Sequence, residues 1–317
     1  MTAPLPVQPV LSGTVQERLA DALARLRGLG VPDAPVRLAG FLDAFVTLPR
    51  DARYKDVPGA ARAIHDTVLR EAGEPAAQAL LLAALFQAVC NSLAGARLSM
   101  LPPRVLNHQL RQFARIAAHG DAFGAECSLA SDAYMKELGL ARLRLYAGAS
   151  NLIDPQAGVA RSVLWKGGPW QLLRRALLFA RIGGFRPFFE IHAHKLYMEE
   201  FSAEGRRECY RCCADLYALH PEMLGMYAGS WFYDPAVAAL SPHLAYLRDD
   251  PVAGGCACLF VAHDEQAASY STAKSEKRRA AYAAGSYRPA TYALVWPRRA
   301  QIAWARTEPE PARRPLS

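Results

Sequence analysis

The sequence lacks any strand-like run in its first 140 residues, and it lacks a Walker loop and a nucleic-acid recognition motif. Its opening stretch, MTAPLPVQPVLSG, has neither a basic n-region nor an apolar h-region, so no secretory leader is expected. Seven cysteines, an odd number, cluster as CYRCC and CAC without regular spacing. That usage reads as reduced thiols in a cytoplasmic protein, not a disulfide framework. A zinc ribbon is excluded because no second C-x-x-C pair stands at matching spacing. The most apolar window, AAQALLLAALFQAVCNSLAGA, reaches membrane-span length but carries Gln87 and Asn91. It predicts a buried core helix and no membrane span.

What is present is an ordinary globular composition. The 317 residues are 52% hydrophobic and 21% charged, which suggests roughly two domains. A formal charge of +8 favours acidic partners: nucleic acid, a membrane surface, or phosphorylated and carboxylate ligands. Much of the surplus lies in KSEKRR, WPRRA and PARRPLS, which read as a solvated basic face because no nucleic-acid motif accompanies them.

Two textures divide the chain. Residues 1–140 read as successive helices, beginning with TVQERLADALARLRGLG, where Thr14 and Glu17 have capping-box spacing. His65, His108 and His119 fall on these helices without matched partners and read as surface or structural residues. Beyond residue 140 the pattern alternates. LRLYAG and VARSVLW read as short strands around the turn-rich SNLIDPQAG. PWQLLRRALLFARIGG has Pro169 at its start and Gly183 just past its end, the usual helix asymmetry. FRPFFEIHA and MYAGSWFYD read as strands on either side of a helix, and GGCACLFVA as another strand. ATYALVW-PRR-AQIAWA reads as a terminal hairpin. The expected fold class is α+β: a helical region over 1–140, then a mixed α/β domain over 141–306 with a largely parallel central sheet. Residues 307–317 are expected to be a flexible basic tail.

The densest chemistry lies in FFEIHAHKLYMEEFSAEGRRECYRCC. His192 and His194, at i and i+2 on a strand, project to one face and can reach one ion. With Glu199 they approximate the glycine, H-x-H, glutamate order of a cupin motif, and two histidines with one carboxylate suit non-haem iron. Gly184 is set further back than that motif wants and no second motif follows. A metal site of another build, for iron or zinc, would draw on Asp234, His243 or His263. Cys209, Cys212, Cys213 and Leu216 follow the spacing of one buried helical face and read as core. Lys166 and the glycine pair of LWKGGPWQLL read as a tight turn ahead of a helix, with anion binding by the first amides as the alternative. In GSWFYDPAVAALSPHLAYLR, Trp231 and Tyr233 share one strand face, and Phe232 and Asp234 the other. Tyr233 or His243 is a candidate general acid or base at the carboxyl end of the sheet, with helix capping as Asp234's alternative role.

From His192 onward the layout of strand, loop, long helix and returning strand resembles a GNAT-type acyltransferase core. The resemblance implies that an acyl-coenzyme A pyrophosphate is held by the loop and helix start, here Ser202, Glu204, Gly205, Arg206 and Arg207. STAKSEKRRAAYAAGSY resembles the later helix of that family, whose tyrosine protonates the departing thiolate, and Tyr282 is the matching position. Where that family's loop carries two small residues this one has Gly205 alone. The implied activity is acyl transfer from an acyl thioester to an amine-bearing small metabolite or amino acid. The alternatives are a metal-dependent oxygenase or hydrolase built on His192 and His194, and a non-catalytic interaction protein.

Overall fold

The computed structural model describes residues 7–49, 51–119, 126–166, 168–194, 198 and 200–307. The chain divides into two compact units, Met1–Gly148 and Ala149–Ser317. The expected tail falls almost wholly outside the described residues.

The first unit is helical: α1 (Val7–Gly28), α2 (Ala34–Val46), α3 (Gly59–Ala94), the single turn α4 (Ala96–Ser99), α5 (Pro103–His119) and α6 (Asp132–Ala141). One three-residue strand, β1 (Tyr146–Gly148), ends it. α1 starts seven residues before the expected cap, so Thr14 lies inside the helix and its hydroxyl donates to the Val10 carbonyl at 3.2 Å. α3 is two helices joined at a kink at Gly73, whose φ of 80° suits glycine. Pro75 opens the second of them, where its missing N–H costs nothing. That segment is the apolar window seen in the sequence. α3 is long and apolar enough to cross a membrane, yet 61% of its most apolar window is buried inside the protein. It packs on α1, α2 and α6. Glu137, fully buried on α6, is matched by Arg115 of α5, whose Nη2 lies 2.6 Å from both carboxylate oxygens. A paired charge is what burial of a carboxylate requires.

The second unit is a sheet covered on both faces. Its strands are β2 (Asn151–Ala157), β3 (Phe188–Ala193), β4 (Gly225–Ser230), β5 (Ala257–Ala262) and β6 (Thr291–Pro297), in the order β2-β3-β4-β6-β5. Between them run α7 (Pro169–Ile182), α8 (Ala203–Leu216), α9 (Pro235–Leu240), α10 (Tyr246–Ala253), α11 (Glu265–Ala273) and α12 (Glu276–Ala283); α13 (Arg298–Thr307) follows β6. Among these five strands as described, β3 and β4 run parallel, and β2/β3, β4/β6 and β5/β6 are antiparallel. The expectation of a largely parallel sheet is therefore corrected. Strand–helix alternation forces parallel pairing only when each crossover is a single return helix, as α8 is. The longer connections through α9–α10 and α11–α12 bring β5 and β6 back in opposite senses, with β5 outside β6.

Four local expectations also change. The strand read in MYAGSWFYD ends at Ser230, and Trp231–Tyr233 form a 3-10 turn, so Trp231 and Tyr233 share no strand face. SNLIDPQAG is not a turn: it supplies β2, and Pro155 sits in the register break between Asp154 and Ala157, where no ladder N–H is needed. VARSVLW forms a 3-10 turn over Arg161–Trp165 instead of a strand. AQIAWA is not the second arm of a hairpin. It is helical in α13, where Gln301 and Trp304, three apart, are buried together. Gln301 is held by the Tyr217 hydroxyl, the Tyr210 carbonyl and the Met226 sulfur. Trp296, Tyr210 and Trp304 meet edge to face beside it. The opposite face of the sheet packs Val159, Val163, Phe179, Phe188 and Val295 under α7.

Gly225 starts β4 where a Cβ would stand 2.2 Å from the Trp296 carbonyl oxygen, a backbone atom that cannot yield cheaply. Gly225→Ala should therefore lower unfolding stability by about 3 kcal/mol. Gly13→Ala, in α1 with nothing within 4 Å of the new methyl, should raise it by about 0.5–1 kcal/mol. Denaturant titration of the two variants checks both signs.

Candidate functional site

β3 and β4 are matched over two residue pairs only, Phe189 with Met226 and Glu190 with Tyr227. Their carboxyl halves, Ile191–Ala193 and Ala228–Ser230, stay paired to β2 and β6 on their outer edges but not to each other. The sheet thus opens between them at the end toward which both strands run. In a sheet with parallel strands, that end is where ligands bind.

At the mouth of this opening lies a buried cation. Arg206, in the first turn of α8, is 4% exposed. Its Nη1 donates to Asn151 Oδ1 at 2.5 Å, its Nε to the Tyr210 hydroxyl at 3.1 Å, and its Nη2 to the Tyr233 hydroxyl. The rings of Phe201, Tyr210 and Tyr233 surround the guanidinium at 5.6–5.9 Å. Among the described residues no carboxylate pairs with it. Burial works against its charge, but the phenols of Tyr210 and Tyr233 outweigh that and hold its pKa above the ordinary arginine value. Burial raises the Tyr233 phenol in turn, and Arg206 pulls it partly back.

The Ser202 hydroxyl caps α8 by accepting from the Gly205 amide at 3.1 Å. That amide is therefore already bonded, leaving those of Ala203 and Glu204 as first-turn donors without an intrahelical acceptor. Gly205 is packed tightly: a Cβ would strike the Glu200 carbonyl oxygen at 2.1 Å. Arg207 Nε donates to Asp250 at 2.8 Å and ties α8 to α10. Cys209, Cys212, Cys213 and Leu216 are all fully buried on the inner face of α8.

On the opposite face of the sheet, His192 stands near the end of β3. Its Nε2 lies 3.8 Å from Asp154 on β2 and 3.9 Å from Glu190 two residues earlier on its own strand. Register puts Asp154 directly across from Glu190, and Glu190 directly across from Tyr227. Burial, then the nearby Glu190 carboxylate, push the Tyr227 phenol up to about 12. One imidazole beside two carboxylates places an acid–base group at this end of the sheet.

The other expected site residues are placed elsewhere. His194 follows β3 and is buried, and Glu199, the carboxylate of the metal reading, lies outside the described residues. Asp234 accepts from the amides of Ala236 and Ala290 at 2.9 and 3.2 Å, so it caps α9 and pins the start of β6. Burial raises its pKa, and those two amides work against the rise. His243 is exposed in a 3-10 turn, and His263 Nδ1 lies 3.0 Å from the Pro289 carbonyl oxygen. Tyr282 is on α12 and 48% exposed, with no side-chain bond at the opening. Of the expected residues, Ser202, Gly205, Arg206 and Tyr233 come together. Asn151, Asp154, Glu190, Tyr210 and Tyr227 complete the surroundings and were not singled out in the sequence. Tyr210 was legible four residues after Arg206 on a helix, and Glu190 two before His192 on a strand. Asn151 and Asp154 carried no such signal, since only strand pairing brings them in.

A separate cleft of about 540 Å³ runs between α7 and β5, lined by Gln171, Arg174, Arg175, Leu178, Cys258 and Phe260 among others. Compared with family models, curated proteins and solved structures, the chain matches none.

The raised Tyr227 phenol fixes a sign for stability at high pH. A folded-state pKa above the unfolded value of about 10 means that the native state holds the proton longer. Stability should therefore fall as pH rises from about 10 towards 12, by roughly 2 kcal/mol from this group. Tyr227→Phe should flatten that part of the profile, measured by urea unfolding across the range.

Proposed function

We propose that the second unit transfers an acyl group from an acyl thioester, such as acyl-coenzyme A, to an amine. The observation that carries this reading is the opening between the parallel strands β3 and β4, bridged by α8 with its N-terminus and Arg206 at the mouth. The edge of β4 over Ala228–Ser230 borders that opening and is not matched to β3. A linear, amide-bearing arm such as that of coenzyme A can bond there as an added strand does. Its phosphates would meet the first-turn amides of Ala203 and Glu204 and the positive end of the α8 dipole.

The two faces then divide the work. On the α8 face, Arg206 holds the Tyr233 hydroxyl, which protonates the departing sulfur. On the α7 face, His192 takes a proton from the attacking amine, and Asp154 and Glu190 stabilise the imidazolium formed. The amine nitrogen bonds to the acyl carbon and the carbon–sulfur bond breaks. One proton leaves the nitrogen for His192 and one passes from Tyr233 to the thiolate. Tyr233 takes the role that the sequence resemblance assigned to Tyr282. The reading requires the acyl carbon to lie in the opening between β3 and β4, where groups on both faces can reach it.

Acetyl-coenzyme A should raise the melting temperature and slow hydrogen exchange at 191–193 and 228–230, since a ligand of the native state alone stabilises it. Tyr233→Phe and His192→Ala should each lower acyl transfer by about 100-fold, within the usual range for acid–base residues, while leaving that protection in place. Absence of both the thermal response and the exchange protection with any acyl thioester would retire the reading.

A further inference from the structure

We propose that α7 and the turn before it form a docking surface for an anionic lipid bilayer. Trp170, Leu173 and Leu177 repeat at i, i+3 and i+7 and are 79%, 50% and 48% exposed, so they make one apolar stripe facing outward. Trp165, in the adjoining 3-10 turn, is 72% exposed and extends it. Scattered single apolar residues are ordinary on a surface, but two tryptophans and two leucines in one short segment are not. The helix does not need this face for folding: Arg175 and Phe179 turn the other way, Arg175 onto the Val163 carbonyl at 2.5 Å and Phe179 into the core.

Charge selects the occupant. Besides the buried Arg175, residues 155–189 contain Arg161, Lys166, Arg174, Arg181 and Arg186 and no aspartate or glutamate. On the helical wheel the exposed Arg174 and Arg181 flank the apolar stripe on one side, and the exposed Arg161 precedes Trp165 by one turn. Tryptophan and leucine on one face with cations beside them is the pattern of a helix lying in the bilayer interface, the rings at headgroup level and the guanidiniums on lipid phosphates. Each basic residue near an anionic leaflet adds about 1 kcal/mol, and the effect is screened by salt. A protein partner would ask for complementary acids set in a fixed shape, whereas a fluid leaflet needs only apolar depth and negative charge. A bilayer is therefore the occupant that this stripe fits. The surface lies on the α7 side of the sheet and is independent of the acyl-transfer reading.

Sedimentation of the full chain with vesicles tests it. The protein should pellet with vesicles of phosphatidylcholine mixed with phosphatidylglycerol and much less with phosphatidylcholine alone, and its tryptophan emission should shift to the blue. Trp165→Ser with Trp170→Ser should weaken binding at least about tenfold. Arg174→Glu with Arg181→Glu should remove the preference for anionic vesicles, while Lys277→Glu with Arg279→Glu, exposed on α12, should leave it intact. The idea is overturned if wild type ignores both vesicles, if the tryptophan variant binds as well as wild type, or if the α12 charge reversal removes binding equally. It is also overturned if light scattering without lipid finds wild type dimeric and the tryptophan variant monomeric, because a second copy then covers the stripe.

Discussion

The second unit is organised around a guanidinium that no carboxylate meets among the described residues. Arg206 is surrounded by three neutral oxygens from β2, α8 and the turn after β4. Removing a charge from water costs several kcal/mol unless every donor is satisfied, so these three elements are held to the geometry the fork dictates. The fork is planar and its donors diverge, which keeps Asn151 and Tyr233 on opposite sides of it. The mouth of the opening between β3 and β4 is thus kept apart by a hydrogen-bonded spacer. Lysine would not serve there, since a single ammonium cannot span both sides.

The opening itself follows from the strand directions. β3 and β4 are joined by one crossover helix and start side by side, and each is bound on its far edge to an antiparallel neighbour. Beyond the pairs Phe189 with Met226 and Glu190 with Tyr227, β3 and β4 are not matched to each other. The Asp154, Glu190 and His192 assembly borders the same region from the other face. It exists because register sets an acid of β2 across from an acid of β3, with the His192 imidazole 3.8 and 3.9 Å from the two carboxylates.

Much of the architecture was legible because it is local. Helical spacing in α2 and α5, the Pro169 start and Gly183 end of α7, and the buried cysteine face of α8 are written in neighbouring residues. The misreadings have a common physical source. SNLIDPQAG carries turn residues, yet a bulge absorbs Pro155 and the segment pairs as β2. AQIAWA alternates like a strand, but Gln301 and Trp304 gain more by facing α8 together. In both, packing overrode local preference, and no propensity rule registers a partner distant in sequence.

The sequence by itself determined that a helical region precedes a strand-and-helix region, that α8 buries its cysteines, and that His192, Ser202 and Arg206 lie near the end of a strand and the start of a helix. Those features depend on contacts within a few residues, where period and capping chemistry are explicit. Only the tertiary structure decided that one strand pair is parallel, that Asn151 and Tyr233 meet Arg206, and that Asp154 faces His192. Each of these joins segments from 27 to 55 residues apart, as with Arg206 to Tyr233 and to Asn151. Register and crossover sense choose such partners, and a one-residue slip of β2 would have turned Asn151 and Asp154 to the other face.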